Sequence, residues 1–279
     1  MQRYSLVPLL MATLMAGSQA TGSPAEANIR VIPVTRVVRI PLIALNDGMT
    51  ANLATDFSGL AVSRGGVDET PEGPDSFDVN DNGSFLVTNP LLGRLSQFRP
   101  EGKFQRSWPL GFAADGVNIL PDKTVEVQEA RTSTVYVLDQ KGELHLSTPR
   151  TSNASARITS PSTGVIAWSA RNPGSSSKID VKLDRPGFTL LSLQLLGTGE
   201  DGSAYVALES TPGAKGEEGI NVNKSVRRYS PAGKLLSQTD DIPLDYYVTP
   251  ADELRVHKGF VYQLMTTPSE VQLNVWNMN

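Results

Sequence analysis

The amino-acid sequence predicts an all-β fold made of repeated small sheets, and three observations carry that expectation. Short runs rich in β-branched and aromatic residues recur along the chain, each cut off by Gly, Pro, Asn or Asp. No window carries a sustained apolar stripe at i, i+3, i+4 and i+7 between capping residues, and the 19 prolines are spread throughout. Two kinds of glycine turn return on a period of about 40 residues.

Composition bounds the rest. Of the 279 residues 39% are apolar and a further 24 are glycine, a globular balance that excludes wholesale disorder, collagen and coiled coil. Lys and Arg number 25 against 29 Asp and Glu, a formal charge of −4, which offers no basic face to nucleic acid. Cysteine is absent, which removes disulfides, thiolate chemistry, Cys-ligated zinc, iron–sulfur clusters and covalent haem. Two histidines nearly exclude a multi-histidine metal site.

The first element is an address. Arg3 precedes the apolar run Leu6 to Ala16, and small residues follow at Ser18-Gln19-Ala20 and Ala25-Glu26-Ala27. This is the pattern of a secretory signal over residues 1–20, with cleavage as late as 27. Eleven residues fall short of the roughly 20 needed to cross a bilayer. Residues 28–279 are expected to form one domain, secreted or periplasmic, monomeric and without a membrane span.

Strands follow in order at 35–40, 84–88, 134–138, 164–168, 203–207 and 260–264. A polar-Gly turn enters a strand at Asn82-Gly83, Thr163-Gly164, Asp201-Gly202 and Lys258-Gly259, with glycines 81, 38 and 57 residues apart. A hairpin turn recurs at Gly102, Gly142 and Gly233, at spacings of 40 and 91. One unit is 40 residues, 81 is two, and the longer intervals contain an insertion, the Gly-rich loop 211–224. Where one turn lacks glycine, Asp122-Lys123 takes its place.

A period near 40 with several strands per unit is the footprint of a β-propeller, because a lone four-stranded sheet has too little core and buries its faces only against neighbours. About 252 residues beyond the leader give roughly six blades of up to four antiparallel strands. Five are traceable at 73–110, 114–149, 156–184, 189–240 and 246–279, the third short and degenerate. The sixth is expected from 29–72, where strand 35–40 could instead complete the last sheet. A β-sandwich or two small β domains is the alternative.

The first unit carries a resemblance. Gly73-Pro74, the strand Phe77-Asp78-Val79, the turn Asn80-Asp81-Asn82-Gly83, the strand to Asn89, then Arg94-Leu95-Ser96-Gln97-Phe98 and Gly102 resemble one repeat of the NHL-type and TolB-like six-bladed propellers. Asn89 stands where such repeats place Asp. The likeness is good over about 32 residues, fair over 114–149 and 189–279 and poor over 150–188. It implies strands and turns. The superfamily holds ligand-binding scaffolds, lyases, lactonases and interaction modules, so it selects no activity.

Candidate chemistry is sparse. Asp78, Asn80 and Asn82 before Gly83 match half of a calcium loop, but Asn89 replaces its closing Glu, and the same residues make a strong hairpin turn. Gly197 to Gly202 spells G-x-G-x-x-G, yet a strand follows instead of the helix a dinucleotide needs. His145 and His257 are candidate general bases or plain strand residues. Asp240, Asp241 and Asp245 with Tyr246 and Tyr247 are placed either at the central funnel, where they could bind a sugar or a cation, or in an inter-blade loop. Arg227-Arg228-Tyr229 is expected to be a solvated edge. Asn82, Asn153 and Asn223 fit the glycosylation triplet. No serine elbow, H-E-x-x-H or P-loop occurs. No catalytic, cofactor-binding or metal residue is therefore assigned, and no cofactor. The expected role is a non-catalytic binding module for a protein or carbohydrate; the alternative is a lactonase- or lyase-like enzyme with a central divalent cation.

Overall fold

The computed structural model describes residues 29–45, 59–65, 69–139, 141–147, 154–169, 176–212, 221–240 and 242–279. The expected leader over 1–20 and most of loop 211–224 lie outside these residues.

The described chain is all-β, with one 3₁₀ turn (Pro90–Leu92) and no α-helix. Three strands, β1 (Arg30–Val31), β2 (Arg36–Leu45) and β3 (Leu60–Ser63), precede the first complete sheet. That sheet is an antiparallel meander of β4 (Phe77–Val79), β5 (Phe85–Asn89), β6 (Arg94–Phe98) and β7 (Phe104–Pro109). The second repeats it with β8 (Ala114–Ile119), β9 (Val125–Glu129), β10 (Val135–Leu138) and β11 (Leu144–Ser147). A third has three strands, β12 (Ala154–Ser160), β13 (Thr163–Ser169) and β14 (Ser176–Lys182). The fourth runs through β15 (Phe188–Thr198), β16 (Ala204–Pro212), β17 (Asn223–Tyr229) and β18 (Leu235–Thr239), and the fifth through β19 (Leu254–His257), β20 (Phe260–Thr266) and β21 (Glu270–Asn277).

The sixth unit expected from 29–72 is not a sheet of its own among the described residues. β2 lies antiparallel on β21, with Arg36 opposite Val275 and Pro41 opposite Glu270, and β3 pairs parallel with β2. β1 adds a parallel strand to β18. An isolated pair of strands buries too little to stand alone. Docked on β21, the alternation of β2 sends Val38 and Ile40 inward and leaves Val37 and Arg39 in solvent.

The core lies between sheets, as a propeller requires. One apolar cluster joins the fifth sheet to the first through Phe77, Phe98, Leu264 and Leu273. Others join fourth to fifth around Trp276, third to fourth around Ile166, and first to second around Leu95 and Val117. Fully burying each such side chain contributes about 1.5–3 kcal/mol. Gly164 in β13 shows how close the third and fourth sheets pack: a Cβ there would sit 2.0 Å from Leu193 Cδ1.

The expected solvated edge at Arg227-Arg228-Tyr229 is corrected by this topology. β17 is an inner member of its sheet, flanked by β16 and β18, so neither of its sides faces water. Arg227 is 5% exposed and donates to the carbonyl of Lys182 in the third sheet, while Arg228 donates to the carbonyl of Met278 (2.9 Å). Both arginines bind sheet to sheet.

Candidate functional site

Each first strand ends in a tight turn, and four of these turns meet around one mouth of the central funnel, enclosing a cavity of about 1180 Å³. The turn after β4 closes through Gly83 N–H to Asn80 O (2.8 Å), with Asn82 Oδ1 accepting from Ser84 N–H (3.0 Å). Gly83 adopts φ +78°, a left-handed conformation that glycine takes without Cβ strain. After β8 the same position is Lys123 at φ +68°, and Asp122 Oδ1 accepts from Thr124 N–H (3.1 Å), the substitution read from the sequence. The turn after β15 brings Glu200 and Asp201 to the rim, and the turn after β19 brings His257 and Lys258 (φ +47°).

The rim charges pair across sheets. Asp81 of the first sheet accepts from Lys258 of the fifth (3.0 Å) and faces His257 Nε2 (3.5 Å). Asp201 takes Ser203 Oγ–H (2.6 Å) and Arg228 Nη2 (2.7 Å), and its pKa is held down to about 2, by the Ser203 hydroxyl foremost. His257 is half-buried, and desolvation lowers its pKa despite Asp81, Asp78 and Glu200 nearby. Its Nε2 is buried and, beyond Asp81 at 3.5 Å, has no hydrogen-bond partner among the described residues.

Below the rim, side chains tie the first strands together. β8 is an inner edge strand whose free amides need acceptors. Asp78 Oδ2 takes Ile119 N–H (2.6 Å) and Ser76 Oγ takes Val117 N–H (3.1 Å). Burial raises the Asp78 pKa against these donors. Arg255 of β19 reaches across: Nε to Phe77 O (2.9 Å), Nη2 to Val117 O (3.2 Å) and to Asp252 Oδ2 (2.6 Å). Asp252 Oδ2 also accepts from Ser76 Oγ (2.7 Å). At the opposite mouth Asp75 accepts from Ala251 N–H (2.6 Å), and burial, then Asp115 and Asp252, raise its pKa to about 6.

The residues singled out from sequence are dispersed. Asp78, Asn80 and Asn82 do not converge as ligands: Asp78 braces β8, Asn80 Nδ2 donates to Ser84 Oγ (3.0 Å) and Asn82 caps its own turn. The G-x-G-x-x-G stretch is a hairpin, Gly202 N–H to Gly199 O (3.0 Å). His145 sits exposed on the outer strand β11, 3.3 Å from Asp139, whereas His257 reaches the funnel. Tyr246 is not at the axis; it donates to Glu253 within an inter-sheet network in which Lys224 bridges Glu253 and Glu209 (2.7 Å to the latter). Tyr247 donates to Arg64 O (3.2 Å), Asp240 accepts from Gln238 (2.9 Å), Asp245 is exposed, and Asp241 lies outside the described residues. Asp75, Asp81, Asp115, Asp252 and Arg255 were missed as a group. Arg255 and His257 share one face of β19 by strand alternation, which was the available signal.

A central divalent cation does not fit the axis as built. The oxygens it would need, the Phe77 and Val117 carbonyls and the Asp252 carboxylate, are bonded to a guanidinium. Among the described residues, three ligating groups come within 4.8 Å of one another at Asp139, Glu143 and His145, an exposed outer turn where Asp139 Oδ1 already accepts from two backbone amides.

Neither a family model nor a curated relative matches the chain. Solved structures are similar at low level. A gluconolactonase from Xanthomonas campestris shares 14% identity with a TM-score of 0.37 over 88% of this chain and 99% of its own. A virginiamycin B lyase from Staphylococcus aureus shares 11% at 0.34 over 72% and 94%, and a calcium-binding regucalcin from Agrobacterium tumefaciens 11% at 0.34 over 74% and 91%. Likenesses of this size assign no residue a role.

Proposed function

We propose that this propeller is an exported binding protein that holds a small charged ligand in the funnel mouth. One observation carries the reading: Asp81, His257 and Lys258 from two sheets meet at the rim of a polar cavity of about 1180 Å³. That volume lies somewhat above the usual range of roughly 300–1,000 Å³ for a small-molecule site, so a small ligand would occupy part of it. The rim carries both signs of charge, with Lys123, Lys258 and Arg228 against Asp81, Glu200 and Asp201. A ligand bearing both an anionic and a cationic group, such as an amino acid or short peptide, matches this better than a sugar. Tyr205, the aromatic side chain on the lining, is 1% exposed and offers no ring face for stacking. Export rests on the pattern of residues 1–20.

Thermal-shift titration with amino acids, dipeptides, sugar acids and oligosaccharides tests the reading, since a ligand that binds only the native state raises its stability. The expected result is a shift with a zwitterionic class that Asp81→Asn and Lys258→Asn weaken at least tenfold, with Leu146→Ser on the outer strand as an unaffected control. Shifts only with oligosaccharides, or shifts indifferent to the rim substitutions, would overturn it. Turnover abolished by a single funnel substitution would favour the enzyme reading instead.

A further inference from the structure

The first strands of a propeller present their unpaired edge carbonyls to the axis, and buried carbonyls need a donor or a cation. Here Phe77 O and Val117 O turn to the same place from β4 and β8, and Asp252 adds a carboxylate from the approach to β19. Asp78 lies near Arg255, and Asp75 lies near Asp252 and Asp115. One hard cation or one planar donor fork satisfies such a set; they compete for the same oxygens.

We infer that Arg255 is the resident cation of this axis: its guanidinium performs the bridging that a divalent metal would perform, and masks a divalent-cation site made by Asp252 and the two carbonyls. The bonding is cyclic. Arg255 Nη2 reaches Asp252 Oδ2 and Val117 O, Asp252 takes Ser76 Oγ–H, and Ser76 Oγ takes the Val117 amide, so three sheets close on one side chain. The guanidinium is part of the chain and carries its own donors, so the clasp needs no exchangeable ligand.

Melting curves with EDTA and with millimolar calcium, for the protein and for Arg255→Met and Arg255→Lys, test this. All are made on an Asp139→Asn background, so that the exposed outer group does not contribute. The parent is expected to melt at one temperature under both conditions. Arg255→Met should melt roughly 10 °C lower in EDTA and recover a good part of that with calcium, and Arg255→Lys should fall between. A parent that loses stability on chelation overturns the inference. So does an Arg255→Met variant that melts with the parent, or one that is destabilised and indifferent to calcium, which would leave Arg255 a packing residue. If Arg255→Met does not fold, the parent and Arg255→Lys decide by the same criteria.

Discussion

Asp75 enters the funnel at the start of the first sheet, keeps one strong donor in the Ala251 amide, and faces Asp115 and Asp252. Its pKa rises from 3.8 to about 6, burial being the larger cause. The native state therefore holds more protons than the unfolded chain within that window, and the stability this group contributes falls as pH climbs through it. Asp201, held down to about 2, acts at lower pH and in the opposite sense: its contribution is present above 3.8 and lost on acidification. Asp75→Asn keeps an oxygen for Ala251 and discards the charge. Urea midpoints should show the parent losing stability relative to this variant between pH 4 and pH 6; parallel curves would contradict the assignment. Single residues were legible where local rules govern them. Asp122-Lys123 reads as a turn because Asp caps its own backbone and the position tolerates a left-handed residue. Arg227 and Arg228 were misread because two adjacent arginines look solvated; their acceptors, Lys182 and Met278, lie 45 and 50 residues away.

At the scale of elements, strand 35–40 was visible in the sequence and its completing the last sheet was one of two open readings; the choice between them was not legible, because β21 is at least 229 residues away and pairing leaves no local mark. The same distance explains why 29–72 looked like a sixth unit. Position within β2 sets the cost of each side chain. Ile40 is 3% exposed in the cluster between the fifth and first sheets, whereas Ile43 is 37% exposed. Ile40→Ala is expected to cost about 2–5 kcal/mol and Ile43→Ala within about 0.5–1 kcal/mol, read as urea unfolding free energies. Equal costs would place β2 elsewhere. The third sheet reads as short in the sequence, and its described residues form three strands, with Gly164 admitting Leu193 of the fourth sheet.

For the whole molecule, the joining of β2 to β21 does more than end the ring. It brings the first sheet against the fifth, and three cross-sheet bonds of the candidate site, Asp81 to Lys258, Ser76 to Asp252 and Arg255 to Phe77, span that junction. Fold period and turn chemistry were readable because each repeats locally; the site was not, because it is built from residues some 175 apart that meet only when the wheel closes. Arg39 of β2 and Gln272 of β21 stand directly opposite in register on a chain with no cysteine of its own. Opposed Cβ atoms in an antiparallel pair lie about 4.5–5.5 Å apart, near disulfide reach. Oxidising the native Arg39→Cys/Gln272→Cys protein is the measurement to make. The account predicts complete cross-linking without denaturant and a stabilisation of up to roughly 5 kcal/mol; two thiols that stay free in the native protein would contradict the closure and the site built upon it.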